Sequence, residues 1–506
     1  MIFKKTKSNE VPNQNAISWP VKLFYGMGQY SEGVKSSAFS IFLLFYYTMV
    51  KGLSGTLAGT ALLISLVIDG ISDPLMGSIS DACKSSWGRR HPFMYMSAIP
   101  FAACFFLLFY PPQGLGQIQL FLWLTVFSVL TRVFMTVYCV PHMSMNAELT
   151  QNYSERTLLA ALRILFSNVG YLLVAAGGFV LFFRSTSEYA NGQLNPAAYP
   201  VFAGVFALTM VVASFLCALG THGQIPKLLR MREKVDPFRF KRVFKEIKDT
   251  LGISSFRIKI CAAFIYSAMF GTMLALVIFA LTYFWGLSSS QVGIVIMTSV
   301  FAVIIGAVFA RPISSFIGEK REAYMIAISW FAVWTSSSIL LRLFGLLPPN
   351  GHWSILPLVT ITNAIAYVGN GVAQSVSASM IADITDEHER IYQVRQEGIY
   401  FGAVMLMSKI STGMGTFLAG IITDITGITE FAKANTGANP SSLFSFGMIW
   451  GPLPLVMVGL AVIIVKKYDI DQLRHAAILD EIKTSKWLRM AIVLRLRIEA
   501  ATIFRF

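Results

Sequence analysis

Two acids four residues apart, Asp69 and Asp73, lie inside the stretch LVIDGISDPLMGSISDACKSSWGRRHP that runs from Leu66 to Pro92. Four residues is about one helical turn, so on a helix both carboxylates point at one spot. Their flanks, TLAGTALLISLV before and PLMGSI after, are apolar enough to lie in lipid, where a carboxylate is costly unless it meets a cation or a partner. The chemistry this pattern points to is the binding of a cation. A polar patch lining a water-filled cavity is the plainer reading of the same residues.

Other ionisable groups fall at similar depth. The helix carrying the acids runs inward and ends near Ala82, which at 1.5 Å per residue puts Asp69 and Asp73 roughly 14 to 20 Å from the inner surface. A later helix starts near Glu397, and the same rise puts Lys409 about 18 Å deep, so an ammonium and two carboxylates share one level. Arg132 and the pair Glu32 and Lys35 also fall mid-span. Two readings stay open for each. Glu32 and Lys35, three apart on one helix, either neutralise each other or serve a solute. Arg132 either bridges to an acid to hold helices in register or lines the site. His142, following Pro141, reads as a packing or cavity residue of the polar centre, with a ligand role as the alternative. Asp81 ends its helix where the dipole disfavours an anion, and Arg89 and Arg90 are the cations placed to meet it.

The elements that must position these residues are membrane helices. The 506-residue chain is 55% hydrophobic and only 13% charged, with a mean hydropathy of +0.62, outside the range of soluble domains. Apolar stretches of about 20 residues recur, the length that crosses bilayer hydrocarbon as a helix. The pattern predicts twelve spans, near 21–50, 53–82, 92–110, 117–146, 157–183, 198–220, 257–286, 290–317, 322–347, 353–382, 397–426 and 441–466. The apolar run after the polar first 20 residues is long and lacks a small-residue cleavage site, so the first span is expected to remain. Basic residues follow alternate spans, which places those ends and both termini in the cytoplasm of a plasma (inner) membrane protein. The net charge of +15 is thereby explained by topology, with no nucleic-acid partner. The five cysteines are scattered, without C-x-x-C, and give no disulfide framework or zinc site.

The longest interior polar stretch, His222 to Arg257, splits the spans six and six, as expected of two pseudo-symmetric bundles joined by a linker. The expected organisation is a tail over 1–20, a six-helix bundle over 21–220, a basic linker over 221–256, a second bundle over 257–466 and a tail over 467–506. Within the linker Phe240, Val243, Phe244, Ile247 and Leu251 recur at helical spacing among lysines and arginines, the pattern of a helix on the inner membrane surface. Lys486 to Phe506 is a second basic amphipathic stretch, too short to span. A faint repeat links Asp73-Pro74, Gly77, Asp81 and Gly88-Arg89-Arg90 to Arg311-Pro312, Gly318, Lys320 and Arg321. The echo lacks the acids, so an ion site would belong to the first half alone.

Four motifs in order, DGISDP at 69–74, SSWGRRHP at 85–92, VPHM at 140–143 with AELT at 147–150, and ADITD at 382–386, resemble the glycoside–pentoside–hexuronide:cation symporters of the major facilitator superfamily. The resemblance implies an all-α membrane protein with the major facilitator fold of twelve helices, acting by alternating access. In the family's galactoside-carrying type member, two aspartates, an asparagine and a threonine hold the cation. Those positions match Asp69, Asp73, Ser72 and Thr136, with a hydroxyl in place of the amide. A lysine and an arginine of the family's polar centre match Lys409 and Arg163. The acids that grip the galactoside are not kept: their positions fall on Gly33, beside Glu32, and on Cys139. Asp81, Arg89 and Arg90 resemble the superfamily's cytoplasmic gate motif.

The function expected is symport of a sugar, glycoside or uronide coupled to Na⁺ or H⁺. Transport of lysophospholipids, as in animal lysolipid symporters that share the helix-two acids and the lysine, is the alternative; a sensor that retains the fold without transport belongs to another class. An enclosed polar cavity lined by Tyr30, Tyr138 and Tyr367 would favour sugar, and an outward apolar cleft would favour lipid. Counting Glu32, Asp69 and Asp73 against Lys35, Arg132, Arg163 and Lys409 leaves an excess of positive charge that an anionic solute would relieve. No P-loop, zinc-protease or nucleophile-elbow motif is present, so no enzyme activity and no cofactor beyond the coupling ion is expected. The partners expected are a small-molecule solute and the bilayer, with the protein acting as a monomer.

Overall fold

The computed structural model describes residues 17–150, 152–226, 250–393, 397–429 and 440–484, and these form helices joined by short turns. Among the described residues, eleven helices are long and apolar enough to cross a membrane. They are α2 (Gly55–Ala82), α3 (His91–Leu108), α4 (Gln117–Leu149), α5 (Ser154–Phe182), α6 (Ala198–His222), α7 (Ser254–Phe284), α8 (Ser289–Ile317), α9 (Lys320–Leu343), α10 (Ile355–Tyr392), α11 (Glu397–Ile425) and α12 (Pro440–Val465). The first span, α1, is composite. It comprises Trp19–Met27 and Tyr30–Ser37, with a break at Gly28 and Gln29, followed by the π turns Ala38–Leu43 and Tyr46–Val50. Most of the linker pattern, including Phe240 to Ile247, and all of Lys486 to Phe506 lie outside the described residues.

One boundary moves far enough to matter. Helix α10 runs to Tyr392, ten residues past the expected 382, because the polar sequence DITDEHERIY continues the helix beyond the apolar span. The extension has a use: Asp383 pairs with Lys320 Nζ at 2.7 Å and Glu387 with Arg474 Nη2 at 2.6 Å.

Helix α2 is positioned chiefly by α4 within its own half and by α11 of the other. The second contact depends on missing side chains. A Cβ on Gly420 of α11 would lie 2.1 Å from the Gly55 carbonyl oxygen, and one on Gly59 would lie 2.9 Å from Phe417 Cα. The two backbones therefore touch. That close approach carries down the helices to Gly70, against Leu406, and brings Lys409 opposite the acids of α2. Pro74, inside α2, has no N–H to give to the carbonyl of Gly70, which loosens the ladder directly beside Asp73.

The two ends of the bundle differ. At the end where α1 finishes and α2 begins, the halves meet. Phe45 of α1 packs on Phe279 and Tyr283 of α7 at ring distances of 5.1 and 6.5 Å. Gly192 N donates to Ser289 Oγ at 2.9 Å and Gln193 Nε2 to Thr282 Oγ1 at 2.8 Å. Asp424, at the end of α11, accepts from Ser54 Oγ, Gly55 N and Thr56 N, each at 2.7 Å. At the opposite, basic end, the described hydrogen bonds and ion pairs stay within one half or the other. The central space is therefore closed at one end and opens toward the basic loops.

Candidate functional site

The acids of α2 are held in a network that crosses between the halves. Asp69 Oδ2 is 3.3 Å from Arg132 Nη1 of α4 and 3.0 Å from Lys409 Nζ of α11. Asp73 Oδ2 is 2.5 Å from the same ammonium. Thr136 Oγ1 lies 3.2 Å from Asp69 Oδ1 and 2.7 Å from Asp73 Oδ1. Ser72 Oγ is 3.2 Å from Thr136 Oγ1 and donates to the main-chain carbonyl of Asp69 at 3.0 Å. Four oxygens from two helices, Asp69 Oδ1, Asp73 Oδ1, Thr136 Oγ1 and Ser72 Oγ, thus gather on one side of the acids. Lys409 reaches the other oxygen of each carboxylate.

Exposure separates the two acids. The Asp69 side chain is 1% exposed and that of Asp73 36%, so Asp69 is the deep anchor and Asp73 faces the open space. Arg132 is fixed further by its Nε donating to Ser65 Oγ at 3.0 Å, a partner no sequence motif had signalled. A buried carboxylate of this kind needs such a set, since a lost partner leaves an uncompensated charge in a low-dielectric interior.

A cavity of about 250 Å³ opens beside the network, lined by Glu32, Lys35, Asp69, Arg132 and Lys409 among others. Glu32 and Lys35 do not pair within 4 Å. The Glu32 carboxylate accepts instead from Ser36 Oγ at 2.6 Å and Ser167 Oγ at 2.8 Å. The Lys35 ammonium lies over the Phe39 ring, 5.6 Å from its centroid, with the Arg132 guanidinium 4.8 Å from the same centroid.

Several expected members of the polar centre stand elsewhere. His142 Nε2 bonds the Tyr25 carbonyl at 2.7 Å, and Tyr138 Oη donates to the Ser214 carbonyl at 3.4 Å, so both are turned toward α1 and α6. Tyr30 Oη likewise donates to Thr209 of α6 at 3.1 Å. Arg163 stands near Tyr25 and His142, outside the cavity of the acids. With Arg163 removed, the central count becomes Glu32, Asp69 and Asp73 against Lys35, Arg132 and Lys409, which is balanced. The excess charge that argued for an anionic solute is gone. Tyr367 lines a second cavity, of about 910 Å³, whose lining also includes the outward-exposed Ile164, Ile304 and Val308.

At the basic end Arg90 pairs with Asp81 at 2.5 Å, and Arg89 turns instead to Glu148, at 3.0 Å. Glu148 also takes Arg90, at 2.8 Å. This acid of the AELT motif is the hub of the cluster, and its place at the end of α4, on the side of the two arginines, is the signal that could have found it.

Residues 24–472 match the family described as MFS/sugar transport protein. The chain belongs to that family. Among its relatives, the isoprimeverose transporter of Lactiplantibacillus pentosus is 23% identical, covering 94% of each chain. The glucuronide carrier protein homolog of Escherichia coli is 20% identical over 94% of this chain and 98% of its own. The fold is also that of the D-xylose-proton symporter crystal structure, with a TM-score of 0.56 at 14% identity over 87% of this chain and 96% of that one. Members of this family are transporters, not enzymes, and this chain is a multi-pass membrane protein of the major facilitator fold.

Proposed function

We propose that this protein is a Na⁺-coupled symporter that carries a sugar or glycoside into the cytoplasm by alternating access. The observation that carries the reading is the ammonium of one half, Lys409 Nζ, clamped between the two carboxylates of the other, Asp69 and Asp73. An ammonium there competes electrostatically with a coupling ion for the same two carboxylates.

The four gathered oxygens offer a partial shell for Na⁺, to which water adds the remainder. In the open state described, Lys409 neutralises the carboxylates and so favours release of the ion. Asp73, the more exposed acid, lies on the way out. Return to the opposite state separates the Asp424 bonds at the closed end and brings the two ends over the basic loops together. The halves 21–220 and 257–466 are the bodies that rock, about the α2 and α11 contact. The basic loops lie on the cytoplasmic side of the plasma (inner) membrane, with both termini, because basic residues are retained there. The protein works as a monomer, since both the ion site and the central cavities are formed within one chain.

Neither the lysophospholipid reading nor the sensor reading draws support from relatives named for the carriage of isoprimeverose and glucuronides.

The test is solute accumulation in proteoliposomes with Na⁺ and pH gradients imposed separately. A Na⁺ gradient at equal pH is expected to drive accumulation. Accumulation driven by the pH gradient alone, with no response to Na⁺, would sink the Na⁺ assignment.

A further inference from the structure

The charged groups at mid-depth gather on α1, α2, α4 and the facing side of α11. The rest of the second half presents a different wall. The cavity of about 910 Å³ between α5, α7, α8 and α10, and a neighbouring one of about 630 Å³ between α7, α10 and α11, have no charged side chain among the described residues that line them. Their polar groups are amides, phenols and hydroxyls.

Helix α10 turns Asn363, Tyr367, Asn370 and Gln374 toward the larger cavity, at spacings that keep them on one helical face. Asn370 and Gln374 line both cavities. Asn370 is only 1% exposed. Its Oδ1 accepts from Tyr266 Oη at 2.8 Å, which fixes the amide, and its Nδ2 meets no acceptor among the described residues. Buried amides are ordinarily satisfied at both ends. The residue is also held from behind. A Cβ on Gly371 would lie 2.1 Å from the Val303 carbonyl oxygen of α8, and one on Gly369 2.7 Å from the Trp330 ring of α9, so α10 is wedged at this turn. Phe270 and Tyr367, with ring centroids 6.2 Å apart, add an aromatic surface beside the amide.

We infer that Asn370 and Gln374 form a solute-recognition site in the second half, with Asn370 Nδ2 donating to a hydroxyl or ring oxygen of a neutral glycoside. The inference rests on the sugar-symport reading and narrows it. A sugar hydroxyl suits an uncharged donor, and the apolar face of a sugar ring packs on Phe270 and Tyr367. A carboxylate against this wall would be desolvated with no cation among the lining side chains of either cavity to meet it. The three cations of the ion network are already matched by three acids. The site therefore selects neutral glycosides over uronides.

The experiment uses the full-length protein in proteoliposomes and four probes: the p-nitrophenyl β-D-xyloside, glucoside, galactoside and glucuronide. At least one neutral glycoside is expected to accumulate, with the glucuronide at least 10-fold weaker as a competitor. Asn370→Leu removes the donor without placing a charge in the wall; it is expected to raise the half-saturating glycoside concentration 10-fold or more while leaving the Na⁺ dependence unchanged. Gln374→Leu provides a second affinity measurement should the first variant fail to fold. Independently of transport, Ser375→Cys, on the lining of the larger cavity, is alkylated with N-ethylmaleimide and read by peptide mass. A neutral glycoside is expected to protect it and the glucuronide not. Wild-type affinity in both variants, or preference for the glucuronide with coupling intact, would overturn this inference alone. If none of the four probes is moved or protects the cysteine, the sugar reading falls and this inference with it.

Discussion

At the closed end of the molecule a carboxylate of one half reaches across to the other; at the basic end carboxylates pair with cations of their own half. Asp424 of α11 accepts from the first turn of α2, where unpaired N–H groups and the helix dipole favour an anion. Glu148, Asp81, Asp383 and Glu387 pair with Arg89, Arg90, Lys320 and Arg474 without leaving their half. The same chemistry thus latches one end and leaves the other free to open. Between the two ends, at mid-depth, Lys409 crosses from the second half to Asp69 and Asp73 of the first.

The comparison is broken most severely at that crossing. Lys409→Ala leaves two carboxylates sharing one turn with Arg132 as the remaining close cation for Asp69, and loss of a buried partner costs about 3–5 kcal/mol. Accumulation is expected to fall more than 100-fold while the protein still reaches the membrane, as read by uptake and by surface labelling. Uptake at the wild-type rate would show that the ammonium is not part of the coupling site.

Asp69→Asn is next. It removes the deep anchor of the proposed ion site but leaves the uncharged wall of α10 intact. Gradient-driven accumulation is expected to be lost, with counterflow retained in weakened form. A variant that still accumulates solute with unchanged dependence on Na⁺ and pH would place the ion elsewhere.

A smaller effect is expected from Asp424→Ala, which removes three bonds at the closed end. Each hydrogen bond to a charged group contributes about 1.5–3 kcal/mol, so the balance shifts toward the state open at that end by about 10-fold or more. The check is alkylation of Phe45→Cys, whose native side chain is fully buried in the closed end. Its labelling rate should rise in the Asp424→Ala background, and an unchanged rate would mean that the aromatic contacts alone hold this end shut.

The least effect is expected where a pair stays inside one half and in water. Arg390 and Glu481 lie 3.3 Å apart with side chains 32% and 60% exposed. Exposed pairs contribute about 0–1 kcal/mol. Arg390→Ala should leave both transport and the thermal midpoint nearly unchanged, and a large loss would show that the basic end does more than is visible in its pairs.

The sequence by itself determined a great deal. Apolar length set the spans, because hydrocarbon admits only backbones that satisfy themselves. The turn-spaced Asp69 and Asp73 and the depth of Lys409 followed from helix rise alone, which is why their meeting could be read one helix at a time. The tertiary structure decided which of the remaining polar residues face one another. Span lengths do not fix rotation about a helix axis, so Tyr138 and His142, which share α4 with Arg132 and Thr136, were not distinguishable from them until α6 was in place. Glu32 and Lys35, three apart, were free in sequence to pair, and Ser167 of α5 drew the carboxylate away. Arg163 lies on α5 beside Tyr25 of α1 and outside the lining of the acids' cavity, which only the packing of the two helices could show. Asn370 carries no motif at all; its free amide has meaning only because α7, α8 and α9 close around it. Depth is a property of one chain segment, whereas facing is a property of several, and packing alone supplies it.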